Sequence, residues 1–253
     1  MIPYIDIPTL QLWGTVAVHP FGTLVVTGCI VGAVIARWHA KSRGLDVDRF
    51  VNLLAWVLLP GFLVSHLAML LFYHPEHFRF DMGLLNVGKG MSSFGGFLGG
   101  ALGAAIYLKR HRLPFLPYSD ALSLGLVAGW FFGRLGCTIV HDHPGLPSDF
   151  ILAVQYPTGA RHDLGFYEWL FTIALNILLF AIRRRRYPAG ILTGIACVTY
   201  APVRFMLDFL RVGDKLYLGL TPGQYAALVM LVLGGYVLLR VRRQQLDDRA
   251  RLS

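Results

Sequence analysis

Charge is what this chain has least of. Only 15% of its 253 residues are Asp, Glu, Lys or Arg, against roughly a quarter in an ordinary soluble domain, so a water-soluble globular protein is excluded at the outset. Cysteine is nearly as scarce. Cys29, Cys137 and Cys197 are an odd set in apolar surroundings, which argues against a disulfide framework. There is neither a CxxC nor a Cys/His zinc spacing, and His141 and His143 on either side of Asp142 offer only two ligands of one kind, too few for a metal site by themselves. No appended polar domain, low-complexity tract or repeat is visible. No Lys or Arg precedes the first apolar run, so the basic head of a secretory signal peptide is missing and that run is expected to be retained.

What is abundant is apolar: 55% of residues are hydrophobic, with a mean hydropathy of +0.57. The apolar residues gather in runs long enough to cross a hydrocarbon core of roughly 30 Å. Seven runs are read at about 15–36, 50–72, 92–108, 121–140, 166–182, 190–209 and 222–239, which predicts an all-α, polytopic membrane bundle over 15–240. Residues 1–13 are expected along the membrane interface, and 241–253 as a basic tail, within a single membrane domain spanning 1–253.

The positive charge is a topological signal. Arg37, Lys41, Arg43 and Arg49, then Lys109, Arg110 and Arg112, then Arg183 to Arg186, and finally Arg240, Arg242, Arg243, Arg249 and Arg251 all fall on one side of the seven-run arrangement. The other side has Arg79, Lys89, Arg161, Arg211 and Lys215. By the positive-inside rule the N-terminus faces outward and the C-terminus inward. The net charge of +9 is thereby read as orientation and attraction to anionic headgroups rather than as nucleic-acid binding. The longer outer loops, 73–91, 141–165 and 210–221, are the segments free to carry function.

Ionisable residues inside apolar runs cost about 2.5–3.5 kcal/mol each on insertion scales, so they are rare and point to function. Arg134 lies in the fourth run within Gly129-Trp-Phe-Phe-Gly-Arg-Leu-Gly-Cys137, without an acid one turn away on its own helix. It therefore needs an interhelical partner or an anionic ligand. Arg204 and Asp208, four apart, share a helix face, with Arg211 one turn further and Glu168 opening the fifth run. All are near the outer ends of their runs, where they can meet in one cavity. The three arginines against Glu168 and Asp208 leave a surplus of +1, which suits a phosphate. The alternative is mutual neutralisation, Arg204 with Asp208 and Arg134 with Glu168, to hold helices together. A glycine run, Gly90 to Gly103, repeats small residues at 95/99, 96/100 and 99/103. It reads either as close helix packing or as an anion-greeting helix entry.

Several of these segments, in order and at matching spacing, resemble the bacterial prolipoprotein diacylglyceryl transferase family. They are Gly133-Arg-Leu-Gly-Cys137 followed by Asp142 and Gly145, Arg161-His162 with Tyr167-Glu168, and Arg204-Phe-Met-Leu-Asp208-Phe-Leu-Arg211 followed by Gly223-Gln224, with Gly95-Gly96 and Ser119-Asp120 in step. The resemblance runs from about residue 14 to 240. It implies a seven-span enzyme of the bacterial cytoplasmic membrane that moves the diacylglyceryl group of phosphatidylglycerol to the lipobox cysteine thiol of preprolipoproteins. Glycerol phosphate is released, and no metal or organic cofactor takes part.

In that reading Arg134 and Arg204 bind the donor phosphate and stabilise the leaving group. Glu168, Asp208 and Asp142 orient the arginines, and His162 is a further catalytic candidate. Arg211, Gly95, Gly96, Gly145, Tyr167 and His141 are assigned to substrate binding. Two departures stand out. Phe94 occupies the place where the family usually has a histidine before the paired glycines, and Pro20-Phe21-Gly22 replaces its usual Trp-Tyr-Gly. A phenyl ring cannot take a proton, so His141, His143, His162 and the intramembrane His66 are the alternatives for that role. A diverged relative with another acceptor or without catalysis is the main rival. A small transporter is disfavoured, because no paired broken helices are found in two halves.

Overall fold

The structure is a computed structural model and describes residues 1–5, 7, 9–13, 16–73, 92–185, 187–213 and 216–252. Seven long helices are present among them: α1 (Pro20–Ser42), α2 (Val47–Ala68), α3 (Ser93–Arg110), α4 (Phe115–Val140), α5 (Leu164–Arg183), α6 (Ile191–Leu207) and α7 (Pro222–Leu252). Six of these, all but α3, have spans long and apolar enough to cross a membrane. The chain is a polytopic helical membrane protein. Its surface agrees, since Leu59, Ile177 and Val232 lie exposed on α2, α5 and α7 while Arg134, Glu168 and Asp120 are buried. That inverts the water-soluble arrangement, because lipid rather than water surrounds the bundle.

Local signals set the helix ends. Pro20 opens α1, where a missing N–H costs nothing. Asp46 caps α2 by accepting from the amides of Asp48 and Arg49, each at 3.1 Å. α2 runs on into a π-helical turn, Met69–Tyr73. Asp163 caps α5 by accepting from Phe166 N at 2.9 Å. The entry to α6 is held by a distant acid: the buried Asp120 of α4 accepts from the amides of Gly190 and Thr193, both at 2.8 Å. α7 continues through most of the expected basic tail, because nothing in Arg240–Leu252 breaks a helix.

Glycines bring the helices together. A Cβ at Gly99 would stand 2.8 Å from Val64 Cβ, and one at Gly95 would stand 2.6 Å from Ala68 Cβ. The glycine run is thus the face on which α3 packs against α2. α1 and α4 meet in the same way, Gly28 and Gly32 facing Gly129 and Gly125.

The all-helical expectation needs one correction, at the end of the bundle where α4 stops. There β1 (Ile2–Pro3), β4 (Pro144–Pro147), β5 (Val154–Tyr156) and β6 (Gly159–Asp163) form a small sheet in the order β1-β5-β6-β4, and β2 (Leu10–Trp13) pairs with β3 (Val16–Val18). β5 and β6 form a hairpin through Gly159, whose φ of +110° requires glycine. β1 runs parallel to β5, so the N-terminal segment joins this cap instead of only lying along an interface. Strands this short carry too few alternating residues to be read from pattern alone.

The basic residues collect at the opposite end. There the Arg43 guanidinium lies over the Tyr187 ring, Arg183 lies over Trp38, and Arg183 donates to His39 Nδ1 at 3.0 Å. Burial raises the Tyr187 phenol above its ordinary range. Residues 74–91, with Arg79 and Lys89 of the first outer loop, lie outside the described residues, as do Arg186, Lys215 and the side chain of Phe94.

Candidate functional site

Two guanidinium groups from different helices converge on one carboxylate. Arg134 of α4 brings Nε to 2.7 Å from Glu168 Oε2 on α5, and Arg204 of α6 donates through Nη1 to the other oxygen, Oε1. Tyr200 OH, one turn before Arg204, donates to Glu168 Oε2 at 3.2 Å. Arg204 Nη2 is also paired with Asp208 Oδ1 at 2.8 Å, and Arg211 Nη1 approaches the same oxygen at 3.8 Å. Thr221 OH donates to Asp208 Oδ2 at 2.6 Å, which ties the start of α7 into the network. Gly223 permits this approach, since a Cβ there would collide with Asp208 Oδ2 and stand 3.3 Å from Arg204 Nη2.

The network is buried, with Arg134 at 4% and Glu168 at 1% relative exposure. Removing two cations and two anions from water is expensive unless geometry and hydrogen bonds compensate. Sharing Glu168 between two arginines holds them at close quarters, yet each guanidinium has five donors. Arg134 Nε lies beside Glu168 without aligning its N–H as a hydrogen bond, and the indole Nε1 of Trp130 is buried without a partner among the described residues. Trp130 also stacks under Arg134, whose guanidinium carbon is 4.6 Å from the ring centroid. Two donors of the centre, Arg134 Nε and Trp130 Nε1, thus lack an aligned acceptor among the described residues.

Above this centre, between the cap and the segment after α6, lies an open cavity of about 450 Å³, with Asp142, His143, Tyr156, Arg161 and Arg211 in its walls. Gly145 pairs with Arg211 as an isolated bridge, and Arg161 Nη1 donates to Gly145 O at 3.1 Å. A Cβ at Gly145 would lie 2.8 Å from Leu210 O, so only glycine lets the cap close on the end of α6. Cys137 joins cavity to centre: Arg134 Nη1 donates to its Sγ at 3.8 Å, and its sulfur, an Asp142 oxygen and a His143 nitrogen lie within 4.8 Å of one another. Cys137 supplies the third ligand type that the histidine pair lacked. The guanidinium on its sulfur opposes a cation there, and His143 Nδ1 is already held by Asp142.

The sequence-derived residues separate into groups. Arg134, Glu168, Arg204, Asp208 and Arg211 form one network, and Asp142 and Gly145 lie in the cavity above it. His141 is drawn into the cap: its Nδ1 lies 2.6 Å from Asp163 Oδ2, and its ring stacks on Tyr4 at 4.4 Å. Tyr156 OH donates to the same carboxylate oxygen at 2.9 Å, and burial together with Asp163 pushes the Tyr156 phenol far upward. His162 Nδ1 meets Tyr167 OH at 2.9 Å, and Tyr167 OH donates to Leu152 O at 3.3 Å. Gly95 and Gly96 lie on the α2–α3 interface. Phe21 packs on α4 next to Gly136, with its Cδ2 3.0 Å from where a Cβ would stand.

Tyr200, Cys137, Trp130 and Thr221 were not among the residues assigned from sequence, and His143 was named there only as one alternative for the missing histidine. Tyr200 and Trp130 each stand four before an arginine and Cys137 three after one, a spacing that would have found them. Thr221 carries no such signal, because only the fold brings α7 to Asp208.

A helical membrane bundle with buried arginines gathered on shared carboxylates, beside a polar cavity at one end, belongs to the class of polytopic membrane proteins with an ion-pair network buried in the bundle. The chain matches the family model for prolipoprotein diacylglyceryl transferase over residues 8–240, and it belongs to that family. It is 30% identical to the phosphatidylglycerol–prolipoprotein diacylglyceryl transferase of Cereibacter sphaeroides, covering 96% of this chain and 98% of that protein. Identity is also 30% to the enzyme of the same name from Chromohalobacter salexigens, over 98% of this chain and 97% of the relative. With that of Idiomarina loihiensis it is 27%, over 96% and 95%.

Proposed function

We propose that this chain transfers the diacylglyceryl group of phosphatidylglycerol to the lipobox cysteine thiol of a preprolipoprotein in the bacterial cytoplasmic membrane. The observation that carries this reading is the pair of guanidiniums from α4 and α6 sharing Glu168 below an open polar cavity. The lipid enters laterally between helices, and its phosphate lies against Arg134 and Arg204. The acceptor thiol arrives from the capped side and attacks the glyceryl carbon next to the phosphate. A C–S bond forms while the C–O bond breaks, and the electron pair leaves with the phosphate oxygen as glycerol phosphate. In a water-poor site, fixed guanidiniums stabilise that developing charge without reorganising.

The cap end is assigned to the outer face and the basic end to the cytoplasm. The gathering of the N-terminal strand and the 141–163 loop at one end, with arginines at the other, supports that orientation. α3 counts as the seventh span in this topology, its glycines exchanging apolar bulk for close contact with α2.

Phosphatidylglycerol vesicles and a synthetic lipobox peptide test the reading. Mass spectrometry should show a peptide carrying diacylglycerol. The absence of product, where a relative's enzyme works under the same conditions, would favour the second reading, a phospholipid-binding relative with another acceptor. Phe21 packed against α4 beside the arginine motif is the observation on that side.

A further inference from the structure

The transfer reaction needs a proton removed from the acceptor thiol. A free thiol with a pKa of about 8.5 is roughly 3% ionised at pH 7, so a base in reach is worth up to about 30-fold. Three outer histidines compete for that role, and their contacts separate them. His141 is stacked on Tyr4 and held by Asp163 within the cap, His162 is engaged with Tyr167 OH, and neither is among the residues that line the cavity. His143 lines the cavity itself, and its side chain is 21% exposed.

We infer that His143 is the general base that takes the proton from the acceptor thiol, with Asp142 as its positioning residue. This rests on the transferase reading above and adds to it a named proton acceptor. Asp142 holds Nδ1 of the ring, so the N–H is committed there and Nε2 keeps a free lone pair. Asp142 thereby acts through His143, orienting the ring and balancing the imidazolium that forms.

The location fits the chemistry. A ring nitrogen of His143 lies within 4.8 Å of Cys137 Sγ, and that sulfur is 3.8 Å from Arg134 Nη1. One side chain thus separates the base from the guanidinium that faces the leaving phosphate. A thiol in the cavity stands between the two, on the side from which the glyceryl carbon is attacked.

The charges facing His143 come from several elements. Asp142, Tyr156, Arg161 and Arg211 share the cavity, with Cys137, Arg134 and Glu168 beneath. Glu168 is already shared by two arginines, and Arg161 and Arg211 face the cavity as cations, so a thiolate formed there meets compensating charge. The proton moves from sulfur to Nε2, the sulfur lone pair forms the C–S bond, and Nε2 returns its proton to water at the cavity mouth.

The test compares initial rates of wild type, His143→Gln and Asp142→Asn on phosphatidylglycerol vesicles with a lipobox peptide at pH 7 and pH 9. His143→Gln should lose up to about 30-fold in kcat/KM for the peptide at pH 7, narrowing to about twofold at pH 9 where the thiol ionises unaided. KM for phosphatidylglycerol should not move. Asp142→Asn should show a smaller loss with the same narrowing, and Asp142→Glu should restore most of it. A His143→Gln rate equal to wild type at pH 7, or lowered by one constant factor at both pH values, overturns the assignment while leaving the transfer reading intact. Wild type inactive at both pH values removes the transfer reading, and this inference with it. If His143→Gln fails to accumulate in membranes, the pH dependence of the Asp142→Asn deficit decides: narrowing supports the proton role, and a constant factor overturns it.

Discussion

Two carboxylates are buried in this bundle almost equally, Asp120 at 2% and Glu168 at 1% relative exposure, and their surroundings differ in kind. Asp120 accepts from two backbone amides and the Thr193 hydroxyl, at 2.8–2.9 Å. Those donors are neutral and belong to the helix entry it caps, so packing alone accounts for the residue. Glu168 is held by two guanidiniums and a phenol, and donors remain on the cations after it is satisfied. A carboxylate matched by local neutral donors is a staple; one shared by two cations from different helices holds them side by side, as the proposed function requires.

The comparison predicts effects of decreasing size. Arg134→Ala or Arg204→Ala should lower the initial rate of diacylglyceryl-peptide formation by about 10²–10³, the scale set by removing a donor to a developing anion. Lysine at either position should recover little of that, since it lacks the planar fork. Normal turnover in either alanine variant would show that the arginines are staples too.

Glu168→Gln should cost about 3–5 kcal/mol, because it leaves two buried cations short of an anion, and thermal unfolding in detergent would register it. It should also lower activity. Asp120→Ala should separate these readouts. A stability loss of about 1–3 kcal/mol is expected from the unsatisfied amides of Gly190 and Thr193, with turnover per folded molecule within twofold of wild type. A turnover collapse in the folded fraction would erase the distinction between the two carboxylates.

Gly99→Ala probes pure packing, since its Cβ would run into the Pro60 carbonyl and press on Val64. A loss of about 1–2 kcal/mol without a change in KM is the expected result.

Much of the site was legible because membrane burial makes charge conspicuous. Arg134, Glu168, Arg204 and Asp208 stand out in apolar runs whatever the fold, and the network contains all of them. The glycine run was legible only as two alternatives, and the contacts of Gly95 and Gly99 with α2 decide for packing. The histidines were the least legible. His141, His143 and His162 lie on one loop at short spacing, and nothing local distinguishes the ring that stacks on Tyr4 from the ring that faces a cavity. The cap was missed for a related reason: β1 pairs with residues about 150 positions away, so no local periodicity announces it.

Sequence alone determined that this protein lives in lipid, roughly where its helices run, and which ionisable groups need partners, because the cost of burying charge in hydrocarbon is paid residue by residue. Only the tertiary structure decided that Arg134 and Arg204 share one carboxylate, that Thr221 closes the network, and that His143 rather than His141 or His162 lines the cavity. Those are distances between helices and loops remote in the chain, set by glycine-mediated packing and by a sheet assembled from distant segments.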